Sequence, residues 1–234
     1  MSESNQSPSS PIAKTIITWM IIIILILFIA WVVKSRLTIK DHDQAADLIE
    51  TRLSKEAYAD SILLIRKEKD VYFADSLSSP LNSDDLIHFT GLNYFDPDMN
   101  FIVTARIVRD TMAEVFSMAT TTERLPQYRR YGVAYFELAD ETYKLSIYQN
   151  IDILEKNPDS KHLFLPFKDL TNRETTYGGG RYLDLELPET DHIVIDFNLC
   201  YNPYCAYDDR WSCPLTPLEN YLDTYIEAGE KRYP

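Results

Sequence analysis

Nineteen consecutive residues, Thr15 to Val33, carry no charge, and no other stretch of the chain is uncharged for so long. As a helix rising about 1.5 Å per residue, that run extends about 28 Å, the thickness of a bilayer's hydrocarbon core. Trp19 and Trp31 lie near its ends, where indole rings favour the membrane interface, and Lys14 and Lys34 bracket it. A cleaved signal peptide fits less well. Its apolar region spans only about 7–15 residues, and no small-x-small cleavage site follows Ala30. A lipoprotein anchor fails because the first cysteine is Cys200. The expectation is a single-pass transmembrane helix over 14–34, preceded by a disordered Ser- and Pro-rich tail over 1–13. The nearby cations, Lys14 before the span and Lys34, Arg36 and Lys40 after it, point the domain to the cytoplasm by the positive-inside rule. A Lys34/Arg36 pair is also compatible with an uncleaved anchor facing outward, so the side stays open.

What remains is one domain of roughly 190 residues, long enough for a single substantial core. The formal net charge is −13, and the first 33 residues contribute none of it, since Glu3 and Lys14 cancel. The domain is therefore strongly acidic. Nucleic-acid binding needs clustered Lys and Arg to displace phosphate counterions, and no such cluster exists, so no nucleic-acid partner is expected. The expected partners are the membrane and a small-molecule ligand.

From Asp43 to about Ser76 the apolar residues Ala46, Ile49, Leu53 and Ala57 recur at three and four, with charges between them. This predicts one amphipathic helix, a connector over 35–78 that docks on the domain through Ile62, Leu63 and Ile65. Pro80 ends it, and the pattern changes to short alternating runs. Strands are predicted near 99–108, 133–138, 143–148, 163–167, 181–187, 192–197 and 224–227, with a four-residue hairpin loop at Ala139–Thr142. Sixteen tyrosines suit half-buried pleated faces. The fold class is a mainly β domain over 79–234, an antiparallel sandwich or barrel-like sheet behind one leading helix.

Polar side chains, turn formers and aromatics concentrate in the last third. Half of the six glycines fall at Gly178–Gly180. Their N–H groups beside Arg181 could cradle an anion, or the triplet could be a tight turn between strands; neither phosphate-loop motif follows it. The cysteines Cys200, Cys205 and Cys213 are separated by four and seven intervening residues with one nearby His192, a poor zinc set, so no metal is expected. No cofactor motif is present either. Cys205 and Cys213 flank a short loop and are a candidate disulfide, worth about 2.5 kcal/mol by the chain-entropy argument in an oxidising compartment. In a reducing one they are small buried thiols. Asp196 ends an apolar strand, and Asn198, Asn202, Glu219, Asn220, Glu227 and Glu230 follow. If the C-terminal strand returns beside Asp196, these carboxylates could support acid/base chemistry, or they could be a satisfied polar network.

Four ordered blocks carry a resemblance. They are Tyr177-Gly178-Gly179-Gly180-Arg181-Tyr182-Leu183-Asp184, then Asp196 to Tyr207, Cys213 to Leu222, and Ala228-Gly229-Glu230-Lys231. The chain resembles a prokaryotic family of domains of unknown function in these blocks, and the similarity extends to Phe164–Thr171 and to the 66–80 region. The resemblance implies no activity, cofactor or catalytic residue. Where the family has Asn-Arg-Ala-Tyr and Glu-Asn-Arg-Leu, this chain has Asn198-Leu199-Cys200-Tyr201 and Glu219-Asn220-Tyr221-Leu222, which makes Cys200 a packing residue. The leading functional expectation is a membrane-anchored domain binding a small molecule or partner through a face of Arg181, Asp196, Asn198, Asn202 and Glu219, with Tyr177, Asn220, Glu227 and Glu230 as further candidate binding residues. The alternatives are a carboxylate-dependent hydrolase-like enzyme and a structural envelope protein.

Overall fold

Residues 51–234 are described by the computed structural model, and of these Ala57–Pro234 form one compact unit. The expected tail at 1–13, the span at 14–34 and the start of the connector lie outside the described residues. Among the described residues no helix is long and apolar enough to cross a membrane.

Helix α1 covers 51–74. Ile62, Arg66 and Phe73 are its buried positions, spaced four and seven apart on one face. Of the three residues expected to dock, Ile62 is buried, whereas Leu63 and Ile65 are 52% and 47% exposed. Leu63 is rotated by about 100° from Ile62, and Ile65, about 60° off, borders an open cleft instead of the packed stripe. Two further helices, α2 (Ser83–His88) and α3 (Ile151–Lys156), were not expected. Six residues are too short to display a 3.6-residue period. Their signal lies in the caps: the Asn82 side chain accepts from the N–H groups of Asp84 and Asp85, and that of Asn150 accepts from Ile153.

Seven strands form one antiparallel sheet: β1 (Ile102–Arg109), β2 (Val115–Ser117), β3 (Gln127–Leu138), β4 (Glu141–Asn150), β5 (His162–Phe167), β6 (Arg181–Glu186) and β7 (His192–Asp196). The order is β6-β5-β4-β3-β1-β7, with β2 pairing to β3 beside that path. The β3–β4 hairpin turns in two residues rather than four, because Ala139 and Asp140 both take positive φ, 50° and 64°, and let Leu138 pair with Glu141. No strand forms at 224–227. Backbone oxygens there are committed elsewhere: Thr224 O accepts from Leu170 N–H, and Ile226 O accepts from the Arg181 guanidinium.

The connection between β6 and β7 shows that the sheet curls. Those strands are its two edges, about 24 Å apart if five strand spacings were laid flat. Six residue steps from Glu186 to His192 reach at most about 22 Å even when fully extended. The sheet is therefore a half-barrel, and its concave side holds the main core, including Ala105, Ile107, Phe136, Leu145, Leu165, Phe167, Leu183 and Ile195. On the opposite face Met118, Tyr128, Tyr148, Phe164 and Tyr182 form a second, mostly aromatic cluster, with Tyr201 packed against it. The curl needs a bulge in β3 between Arg130 and Gly132. There the inward set changes parity from Tyr131 to Ala134, Phe136 and Leu138. A Cβ on Gly132 would lie 2.6 Å from Val108 O, so no larger residue fits the bulge without displacing β1.

Candidate functional site

Most of the polar residues picked out in the sequence are structural fasteners in this fold. Gly178 and Gly179 make a turn into β6, closed by Gly180 N–H donating to Tyr177 O; Gly180 has φ +98° and passes Phe167 O too closely for a side chain. That turn delivers Arg181 into the interior, not to an anion. Arg181 is fully buried, paired with Asp169 at 2.8 Å, and donates to the carbonyls of Ala228 and Ile226. Asp169 in turn accepts from the N–H and hydroxyl of Thr171. Every carbonyl the guanidinium holds belongs to the returning C-terminal segment.

Asn220 has a comparable task between β4 and β5, whose ladder has only the Tyr148–Phe164 register pair. Its Oδ1 accepts from Ser146 N–H at 2.8 Å, while Nδ2 donates to Ser146 O and Pro166 O at 2.8 and 2.7 Å. Pro166 has no N–H to donate, so the carboxamide stands in for the missing rungs. Asn198 bridges the backbone N–H and O of Asp98, and Asp196 accepts from the Tyr58 hydroxyl and from Asn198. Glu230, buried, gathers Lys69 Nζ at 2.7 Å, the Asn202 amide at 3.0 Å and the Tyr207 hydroxyl. Arg181, Asn198 and Asn202 have almost no accessible surface, so with Asp196 and Glu219 they do not make one face. Glu219 is exposed, accepts from the Tyr148 hydroxyl and borders a groove of about 300 Å³ with Asp110, Glu114 and Arg130. Glu227 lies at an open, charged hollow of about 890 Å³. The candidate carboxylates thus occupy different places. Among the described residues, no group of three or more His, Cys, Asp and Glu is placed to hold a metal.

The concave feature with the character of a ligand site is a cleft of about 710 Å³ between α1 and the convex aromatic face of the sheet. Ligand pockets combine apolar and aromatic walls with a few fixed polar groups. Here Phe164 and Tyr182 meet edge to face at 4.8 Å, and Tyr128 and Tyr201 extend the cluster at 5.6 and 6.0 Å. Phe73, Tyr72 and Tyr204 close the α1 side. The rings are fixed by their own polar atoms. The Tyr182 hydroxyl donates to Pro214 O, and the Tyr201 hydroxyl donates to Asp184 at 2.7 Å, where His162 also binds. Tyr182 and Tyr201 exchange backbone hydrogen bonds at 2.9 and 3.0 Å. Burial pushes both phenols far above their ordinary pKa, so they are neutral donors across the physiological range. Lys69 lies over the Tyr201 ring at 4.9 Å while holding Glu230, and Arg124 and Asn150 complete the polar groups.

Polar clustering in the sequence does not mark these cleft residues. The available signal was parity. In β4, β5 and β6 the positions flanking aliphatic core residues carry Tyr148, Phe164 and Tyr182, an aromatic stripe on the face that a one-layer sheet would leave wet.

Beside the cleft, Cys200, Cys205 and Cys213 are free thiols, so the candidate disulfide is not formed. Cys205 and Cys213 nonetheless touch. Cys205 N–H donates to Cys213 Sγ at 3.1 Å. Half-buried Tyr177 has its hydroxyl 3.8 Å from Cys205 Sγ. The neighbouring Cys213 thiol, with the Tyr177 hydroxyl, draws the Cys205 thiol down to about 6, while the proximity of Cys205 and burial push Cys213 up. Burial raises Cys200 to about 11, as suits a packing residue.

Comparison with known proteins agrees with the fold. The solution NMR structure of an uncharacterized protein of Haloarcula marismortui is 34% identical, with a TM-score of 0.57, over 81% of this chain and 97% of that one. No curated protein matches. A family model described as a protein of unknown function, DUF1684, matches residues 87–231, a span that holds the whole curled sheet and most of the cleft wall. The chain belongs to the DUF1684 family.

Proposed function

We propose that this protein is a single-pass membrane-anchored domain that binds a small molecule with a flat apolar body in the cleft between α1 and the aromatic face. The observation that carries the binding part is the cleft itself: about 710 Å³ walled by Tyr128, Phe164, Tyr182, Tyr201 and Phe73, with Asp184, Asn150 and Arg124 as polar points. A cleft of that size accommodates a drug-sized ligand. The tyrosines offer ring faces while Asn150 and Arg124 offer donors, which favours an apolar body with one or two acceptors. The membrane part rests on the uncharged run at 15–33 with its flanking tryptophans and lysines.

Native mass spectrometry of the full-length protein in detergent tests the binding reading. The expected result is a mass above that of the bare chain that disappears on denaturation. Leu199→Arg, at a 41% exposed position of the cleft wall, should lose it without loss of fold. A bare-chain mass, with no shift in thermal midpoint across a library of planar apolar compounds, would sink the idea. Alkaline extraction tests the anchor: the full chain should stay with the membranes and a chain lacking residues 1–34 should be released.

A further inference from the structure

Cys205 and Cys213 are brought together by two segments that have separate anchors. Cys205 sits on the 3-10 turn Tyr204–Ala206. Cys213 is strapped to the 119–121 segment: its N–H donates to Thr121 Oγ1 at 3.1 Å, its carbonyl accepts from Thr121 N–H at 2.9 Å, and Leu215 N–H donates to Ala119 O at 2.8 Å. The loop between them is held from outside. Trp211 Nε1 donates to Pro80 O, and Arg210 donates to the carbonyls of Pro80 and Leu81. Two restrained segments therefore hold the Cys213 sulfur against the Cys205 backbone. Packing alone does not require that arrangement, since a serine or alanine would fill either position.

The surroundings are unequal. Cys205 is partly exposed, whereas Cys213 is 7% exposed. The Tyr177 hydroxyl lies 3.8 Å from the Cys205 sulfur, and the Cys213 thiol adjoins the same residue. Donors aimed at a sulfur stabilise its thiolate, which is the reactive form. The accessible thiol is the one prepared as an anion, and the sheltered thiol keeps its proton.

We propose that Cys205 and Cys213 form a reactive dithiol that low-molecular-weight disulfides convert reversibly to a protein disulfide, with Cys205 attacking and Cys213 resolving. The Cys205 thiolate attacks one sulfur of the small disulfide, forms a mixed disulfide with that half and expels the other half as a thiolate. Cys213 gives its proton to solvent and attacks the Cys205 sulfur, closing the Cys205–Cys213 bond and expelling the second half. The protein loses two electrons and the small disulfide becomes two thiols. Tyr204 on one anchored segment and Pro214 on the other both line the aromatic cleft, so the bond ties two parts of its wall. The inference does not depend on what the cleft holds.

The test uses the full-length protein, first reduced, then exposed to oxidised glutathione, quenched with an alkylating agent and read by peptide mass spectrometry. The expected product has a Cys205–Cys213 link with Cys200 still a free thiol, and excess reduced glutathione reverses it. Cys213→Ser should instead accumulate a stable glutathione adduct on Cys205. Cys205→Ser should form neither product in the same time, while both variants keep the wild-type circular dichroism spectrum. The rate of Cys205 alkylation in the reduced wild type should rise with a midpoint near pH 6, far below the ~8.5 of an ordinary thiol. The proposal is overturned by three thiols surviving oxidation, by a link that includes Cys200, or by an adduct that forms on Cys213 first. An alkylation midpoint near 8.5 in the folded wild type removes the assigned division of roles and overturns it as well.

Discussion

Asn220→Ala removes three hydrogen bonds at the one place where the sheet lacks its own rungs. The deletion leaves Ser146 N–H, Ser146 O and Pro166 O without partners at a fully buried position. A buried polar group left unpaired costs about 1–3 kcal/mol. Three such groups set a range of about 3–9 kcal/mol. Release of the carboxamide's own desolvation and some relaxation of β4 toward β5 place the result near its lower end, about 3–5 kcal/mol. With a urea dependence of about 2 kcal/mol per molar for a domain of this size, the midpoint should fall by about 2 M. The assay is urea unfolding of the full-length protein in detergent, followed by far-ultraviolet circular dichroism. Glu219→Gln, one residue away and exposed, serves as the control and should move stability by less than about 0.5 kcal/mol. Asn220→Asp keeps the acceptor for Ser146 N–H but turns an anionic oxygen toward two carbonyls, so it should be at least as damaging as alanine. A midpoint shift below about 0.5 M for Asn220→Ala would refute the claim that its side chain replaces the β4–β5 ladder.

Two further outcomes follow from the buried groups. Arg181→Met strands the Asp169 carboxylate, fully buried, and should cost about 3–5 kcal/mol; adding Asp169→Leu should recover part of that loss, and strictly additive urea midpoints would show that the pair is uncoupled. Tyr182, Tyr201 and Tyr207 are held neutral chiefly by burial, with folded pKa values above the unfolded value near 10. The folded state then keeps protons that the unfolded chain releases, so their contribution is whole below about pH 10 and is lost as pH rises above it. Tyrosinate absorbance from these rings should appear only together with loss of circular dichroism, and full ionisation of all tyrosines by about pH 11 with the fold intact would contradict the burial argument.

The strands were largely legible because a pleated backbone sorts side chains by parity, a local property that needs no partner. His162–Phe167, Arg181–Glu186 and His192–Asp196 lie within a residue of where the alternation placed them. The leading helix and the turn at Gly178–Gly180 were legible for the same reason: period and backbone freedom are written in adjacent residues. Thr224–Glu227 was misread, since its backbone is claimed by Leu170 and Arg181, residues more than forty positions away.

The site was misread by the same limit. Arg181, Asn198, Asn202, Asn220 and Glu230 are polar in sequence, and polarity reads equally as a wet site or as a dry fastener. Only the fold decides, by bringing carbonyls of the C-terminal segment to Arg181, and Lys69, Asn202 and Tyr207 to Glu230. Conversely, Tyr128, Phe164, Tyr182 and Tyr201 come from four separated segments, and their cleft exists only once α1 crosses the convex face. Hydrophobic period and turn chemistry are local and determine which elements form. Partnership among buried polar groups, and the hollow between two curved surfaces, are properties of distance in space, which this sequence encodes only through the finished curl of its sheet.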